Sequence, residues 1–141
     1  MADISISGFT IKEYDAIFSL WKSCDGIGLS AADSRENIRL FLDRNPGMNF
    51  AVYEGGVIVG AVLSGHDGRR GYIYHLAVHP DYRGQVVGKM FAEKCTRALK
   101  SAGIQKAHIF ILNGNHRGMG FWKKIGWTKR TDITVSSKQI E

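Results

Sequence analysis

Apolar positions along the chain fall into two periods, and the period changes from segment to segment. Ile4, Ile6 and Phe9 suggest a short first strand. Thr10 and Glu13 have the spacing of a capping box. Tyr14, Ile17, Leu20, Trp21 and Cys24 then recur at helical spacing. A glycine-containing loop covers 25–29. Asp33 and Glu36 repeat the capping spacing ahead of Ile38, Phe41 and Leu42, which predict a second helix ended by Asn45-Pro46-Gly47. Three strands are predicted over 50–53, 57–64 and 72–78, the last two joined by the turn His66-Asp67-Gly68-Arg69-Arg70-Gly71. His79-Pro80 stops the third, because proline lacks the ladder donor.

Val87, Met90, Phe91, Cys95, Ala98 and Leu99 mark the clearest helix, with Gly103 as its C-terminal cap. A strand over 107–112, a turn at Asn113-Gly114-Asn115 and a short helix over 117–125 closed by Gly126 follow. Ile133 and Val135, two apart, predict a final strand. The order is β-α-α-β-β-β-α-β-α-β. It predicts one domain over 1–141, a mixed α/β sheet packed by helices. The strand, helix and strand spanning 72–112 form a parallel pair with a right-handed crossover. The remaining pairs are expected to be antiparallel, unlike a doubly wound dinucleotide fold.

Composition narrows the classes. Of 141 residues, 44% are apolar and 23% charged, which argues against a disordered tail protein. The net charge of +6 is unevenly spread: −2 over 1–45, zero over 46–78 and +8 over 79–141. A basic half suits a phosphate-bearing ligand or is a solvated face; no nucleic-acid motif accompanies it. Cys24 and Cys95 sit in apolar-periodic stretches as buried free thiols. His66, His75, His79, His108 and His116 make no metal spacing, so no metal is expected. No signal peptide and no membrane span are read, and a cytosolic location is expected.

The informative stretch is Leu76-Ala-Val-His-Pro-Asp-Tyr-Arg-Gly-Gln-Val-Val-Gly88. A strand passes through a short turn into a helix whose first N–H groups suit an anionic phosphate. Arg83 and Lys89 flank the turn. GxGxxG, GxxxxGK[ST] and GxSxG are all absent.

Leu76-Ala77-Val78, Pro80-Asp81-Tyr82-Arg83-Gly84 and Gly88, with Asn115, Gly118, Phe121, Trp122, Gly126 and Trp127 further on, make the chain resemble the GNAT superfamily of acyl-CoA-dependent N-acyltransferases. It is most similar to the small YpeA-like bacterial members. Two positions depart from the family pattern. Val86 stands where the phosphate loop has glycine, and Trp122 where tyrosine is common. Indole has no useful acid, so Trp122 would shield or hydrogen-bond the sulphur, while water or Tyr74 protonates the thiolate.

The resemblance implies acetyl-CoA as donor, lying between the strand ending at Val78 and the strand ending near Leu112. Backbone groups of Leu76, Ala77 and Val78 would hold the pantetheine and polarise the thioester carbonyl. Arg83, Gly84, Gln85, Val86, Val87, Gly88 and Lys89 would form the pyrophosphate loop, with Asn115 positioning the pantetheine arm. A primary amine would attack directly. His75 is the first candidate base; the alternative is a His75 packed under a helix. His66 and Asp67 are second candidates, and Tyr72 is a poor base. Trp21, Asp25 and Asp33 would wall the acceptor site and recognise a cationic amine, though Trp21 also reads as core. Arg69 and Arg70 would meet an acidic group or the CoA 3′-phosphate, or form a solvated turn.

The acceptor would be a small-molecule amine or a peptide or protein amine, and a homodimer is compatible with the family. Two other readings remain. One is a CoA-binding regulatory module without turnover; the other is an RNA-directed transferase acting on aminoacyl-tRNA, which salt-dependent tRNA binding would mark.

Overall fold

The computed structural model describes residues 4–84 and 86–141. Strand β1 (Ile4–Gly8) leads through a 3-10 turn into helix α1 (Tyr14–Ser23), and helix α2 (Arg35–Arg44) follows. Strands β2 (Phe50–Glu54), β3 (Val57–His66) and β4 (Gly71–Val78) come next. Helix α3 (Val87–Ser101), strand β5 (Ala107–Ile109) and helix α4 (His116–Lys124) complete the regular elements. The sheet order is β1-β2-β3-β4-β5. Neighbours are antiparallel except β4 and β5, which are parallel as their crossover through α3 requires.

The predicted order holds through α4. The predicted last strand does not form: residues 128–141 adopt no regular element, and Ile133 and Val135 are exposed. β5 is also shorter than 107–112, its pairing ending at Ile109. Thr10 and Glu13 do form a capping box, on the turn that precedes α1. Asp33 does not cap α2. Ser34 does, its hydroxyl accepting from Asn37 N at 3.2 Å. Asp33 instead closes the turn before it, with Ser30.

The sheet is covered on both faces. Phe50, Val52, Val62, Ile73 and Val78 pack with Val87, Phe91, Cys95 and Trp122 from α3 and α4. On the other face Ala51, Ala61 and Ala77 lie side by side across three strands, against α1. That row of small side chains makes room for Ile17 and for Trp21, which is 0% exposed. Both cysteines are free and buried, and burial pushes the Cys95 thiol up to about 11. No helix among the described residues is long and apolar enough to cross a membrane.

Regular alternation breaks inside β4. Ala61 pairs with Ala77 and Leu63 with Tyr74, so β4 carries one extra residue between these pairs. His75 occupies the bulge, with φ at +52°. The bulge turns Tyr74, His75 and Ala77 toward the helices α1 and α2, while Ile73, Leu76 and Val78 face α3.

Candidate functional site

β4 and β5 pair from Gly71–Ala107 to Ile73–Ile109 and then part. β4 runs on to Val78 without a neighbour on that side. Its other edge is held to β3 by pairing at Ala77 and by His79 N donating to Val59 O at 2.8 Å. Alternation therefore turns the N–H of Val78 away from β3, into the gap. Beyond Val78 the chain makes a 3-10 turn (Pro80–Tyr82), Gly84 at φ +80° and Val86 at φ +60° before α3 begins. The first N–H groups of a fifteen-residue helix thus open at the end of the gap.

On the α1–α2 face of β4 three expected residues meet. Nε2 of His75 lies 2.8 Å from Oδ1 of Asp33. The His75 ring stands edge-on to Trp21, centroids 4.9 Å apart. Oδ2 of Asp33 accepts from Ser30 N at 3.0 Å, and the Tyr14 hydroxyl donates to the Asp33 carbonyl at 2.6 Å. Asp33 is 5% exposed, so it is no surface recognition site for a cation. The Trp21 indole N–H is buried and finds no acceptor among the described residues.

Aromatic rings continue this face toward β5. Tyr72 lies 6.2 Å from Tyr74, 5.8 Å from His108 and 6.0 Å from Phe110, and Phe41 of α2 meets Tyr74 edge-on at 6.0 Å. Phe110 is 59% exposed. Burial, and then the neighbouring Tyr72, push the Tyr74 phenol above its ordinary value, so it keeps its proton. In the sequence His108 stands out only as a histidine without metal spacing, and Phe110 not at all. Their signal was the period-two spacing shared by 72/74 and 108/110 on adjacent parallel strands.

A model of the acetyltransferase (GNAT) family matches residues 14–127, most of the chain. The chain belongs to the acetyltransferase (GNAT) family. It is 29% identical over 133 residues to an acetyltransferase of Pectobacterium atrosepticum, covering 94% of each chain. Its fold is similar to that of the PaiA N-acetyltransferase from Thermoplasma acidophilum in complex with coenzyme A (TM-score 0.76, 17% identity, 89% of this chain and 90% of that one). It is equally similar to an aminoglycoside acetyltransferase from an uncultured soil metagenomic sample in complex with sisomicin (TM-score 0.76, 15% identity, 98% and 97% covered).

Within this family frame several expected site residues take other duties. The Val78 carbonyl is occupied: Arg83 Nε donates to it at 3.0 Å and Cys24 Sγ lies 3.9 Å away. Arg83 therefore pins the turn to the end of β4, and at Val78 only the N–H is left for a ligand. Asn115 caps α4, its Oδ1 accepting from Gly118 N at 2.9 Å. Its side chain is wedged between Gly26 and Gly118: a Cβ on either would stand 2.5 Å from Asn115 Nδ2. The loop after α1, with Asp25 exposed on it, is thereby seated against the start of α4.

Trp122 is 5% exposed, between Phe121 and Trp127 at centroid distances of 5.1 and 4.8 Å. It is a core residue, because three aromatic rings meet edge to face there. Leu76 and Val87 also pack toward the α3 core, leaving backbone as their contribution. Gly84 and Lys89 are exposed, and Gln85 lies outside the described residues.

His66 and Asp67 sit at the wrong end of β4. Nδ1 of His66 accepts from Gly68 N at 3.0 Å, and Asp67 Oδ1 accepts from Arg70 N and Arg69 N at 2.9 and 2.8 Å. The backbone N–H groups of Arg70 and Arg69 hold the Asp67 carboxyl below its usual range, which suits a turn and not a base. The hairpin starts β4 at Gly71 and the gap opens beyond Ile73, so Val78 lies about 23 Å from the hairpin at strand rise.

The valine in the loop keeps a glycine shape. Val86 is left-handed, at φ +60° and ψ +11°, with its side chain 64% exposed. A β-branched residue is strained there. Val86→Gly is expected to raise stability by about 1 kcal/mol, the relief of left-handed strain less the added freedom of the unfolded chain. Urea unfolding of the two proteins checks it.

Proposed function

We propose that the chain transfers an acetyl group from acetyl-CoA to a primary amine by direct attack of the amine within a ternary complex. The observation that carries this reading is the gap between β4 and β5, which leads from His75 past Val78 to the N-terminus of α3. The coenzyme A of the Thermoplasma protein and the sisomicin of the soil enzyme support it.

The residues fit such a donor. The Val78 N–H is turned into the gap, and the left-handed Val86 opens the first N–H groups of α3 to phosphate oxygens. Acetyl-CoA, when bound, supplies the thioester carbonyl carbon and a thiolate leaving group. The backbone of Leu76 and Val78 lines the gap and polarises that carbonyl through the Val78 N–H. His75 accepts a proton from the amine. The Tyr74 phenol, holding its proton, is a donor and not a base. The rings of Tyr72, Tyr74 and Phe110 wall the acceptor side, which favours an amine carrying a flat or apolar group.

Calorimetric titration with acetyl-CoA, CoA alongside, tests the reading. Saturable one-to-one binding is expected, followed by CoA thiol release with primary amines. No binding at millimolar ligand overturns donor use. Binding without turnover across small amines and peptide N-termini leaves a CoA-binding module.

A further inference from the structure

We infer that Asp33 is the positioning residue of His75: it fixes which ring nitrogen carries the proton and balances the imidazolium that forms. The inference rests on the acetyl-transfer reading above. An ionised carboxylate only accepts hydrogen bonds, so the 2.8 Å contact puts the ring proton on Nε2 and leaves the Nδ1 lone pair to receive one.

The carboxylate is itself held. Its second oxygen takes the Ser30 N–H, and the Tyr14 hydroxyl ties down the carbonyl of the same residue. At 5% exposure a carboxylate is costly unless paired, and the Ser30 N–H and the His75 ring are its partners. The bulge supplies the other half: at φ +52° His75 leaves the alternation of β4 and meets a turn from the α1–α2 connection, 42 residues away in sequence. The groups against the ring are Asp33 from that connection and Trp21 from α1, with Tyr14 behind Asp33.

The proton balance is simple. An ammonium acceptor sheds two protons. One passes to His75 Nδ1 before attack and on to water. The other leaves nitrogen as the C–N bond forms and is taken up at sulphur as the C–S bond breaks.

Asp33→Asn tests this. The amide keeps one oxygen for Ser30 N and presents its NH2 to Nε2, which moves the ring proton to Nδ1 and removes the acceptor. With phenethylamine at pH 8, kcat is expected to fall about 100-fold, the scale of a general base. Acetyl-CoA affinity is expected to stay within about twofold, since the partners of Asp33 are Ser30, Tyr14 and His75 and none belongs to the loop before α3. With β,β-difluorophenethylamine, an amine largely unprotonated at that pH, the loss shrinks to less than about fivefold, because little proton removal remains to be catalysed before attack. Ser30→Ala, which removes the hydroxyl of the turn and keeps the N–H, is the control for loosening and should retain kcat.

Equal loss with both amines, the same loss in Ser30→Ala, or an unchanged kcat in Asp33→Asn overturns the assignment and leaves acetyl transfer standing. If the native protein binds acetyl-CoA and acetylates neither these amines nor other small amines and peptide N-termini, the acetyl-transfer reading fails and this inference falls with it.

Discussion

His75→Ala is expected to lower kcat for amine acetylation by about 10²- to 10³-fold, with acetyl-CoA affinity nearly unchanged. General bases contribute on this scale, and His75 is the titratable side chain that the β4 bulge turns toward α1 beside the gap. The cofactor term should be spared because the loop and helix that would hold the phosphates begin beyond Val78. Removing the ring also leaves the Asp33 carboxylate without its side-chain partner and unpacks one edge of Trp21, so stability is expected to fall by about 1–3 kcal/mol. Thiol-release kinetics, calorimetry and urea unfolding on one preparation separate the three effects. An unchanged kcat with the stability loss would make His75 a wedge that holds α1 on the sheet.

The contrast between His75 and its neighbours shows where sequence reading reaches. The strands, the crossover and the glycine-interrupted turn were legible because hydrophobic period and turn chemistry are local. A bulge is not local. Tyr74-His75-Leu76 reads as plain alternation, and only the pairing of Ala61 with Ala77 and Leu63 with Tyr74 shows that one residue is extra. The meeting of His75 with Asp33 was invisible for the same reason, although both residues stood out singly as candidates.

Asp33 reads as a helix cap in the sequence because Ser30-x-x-Asp33 and Ser34 lie side by side, and either could start a helix. Trp122 and Arg83 carry motif positions, yet one packs among aromatic rings and the other holds the Val78 carbonyl. The spacing of Ile133 and Val135 signals a strand, but alternation supplies no partner, and the residues stay exposed.

Phe91→Ala is expected to cost about 3–5 kcal/mol, the range for emptying a buried aromatic site. Phe91 is 0% exposed and belongs to the cluster that joins α3 to β2, β3 and β4. Its ring lies directly over Gly60, where a Cβ would stand 2.9 Å from Phe91 Cε2. The sheet gives up a side chain at Gly60 and the helix fills the space, so neither side can collapse into the hole without α3 tilting inward.

That tilt is what links packing to function. Phe91 lies one turn from the start of α3, and Gly88, in the first turn, is already so close to α4 that a Cβ there would stand 2.9 Å from Phe121 Cζ. A shift of the first turn therefore misaligns the N–H groups at 86–89, and acetyl-CoA affinity is expected to fall more than about tenfold, the loss of one charge-assisted hydrogen bond. Saturating acetyl-CoA should return part of the lost stability by mass action, and less of it than in the native protein at the same concentration. Phe91→Leu keeps most of the volume and should lose about 1 kcal/mol with affinity retained. Urea unfolding with and without acetyl-CoA decides it: a Phe91→Ala protein that loses stability but binds acetyl-CoA as tightly as before would show that the phosphate loop is held by Arg83 and the β4 end alone, independently of the helix beneath it.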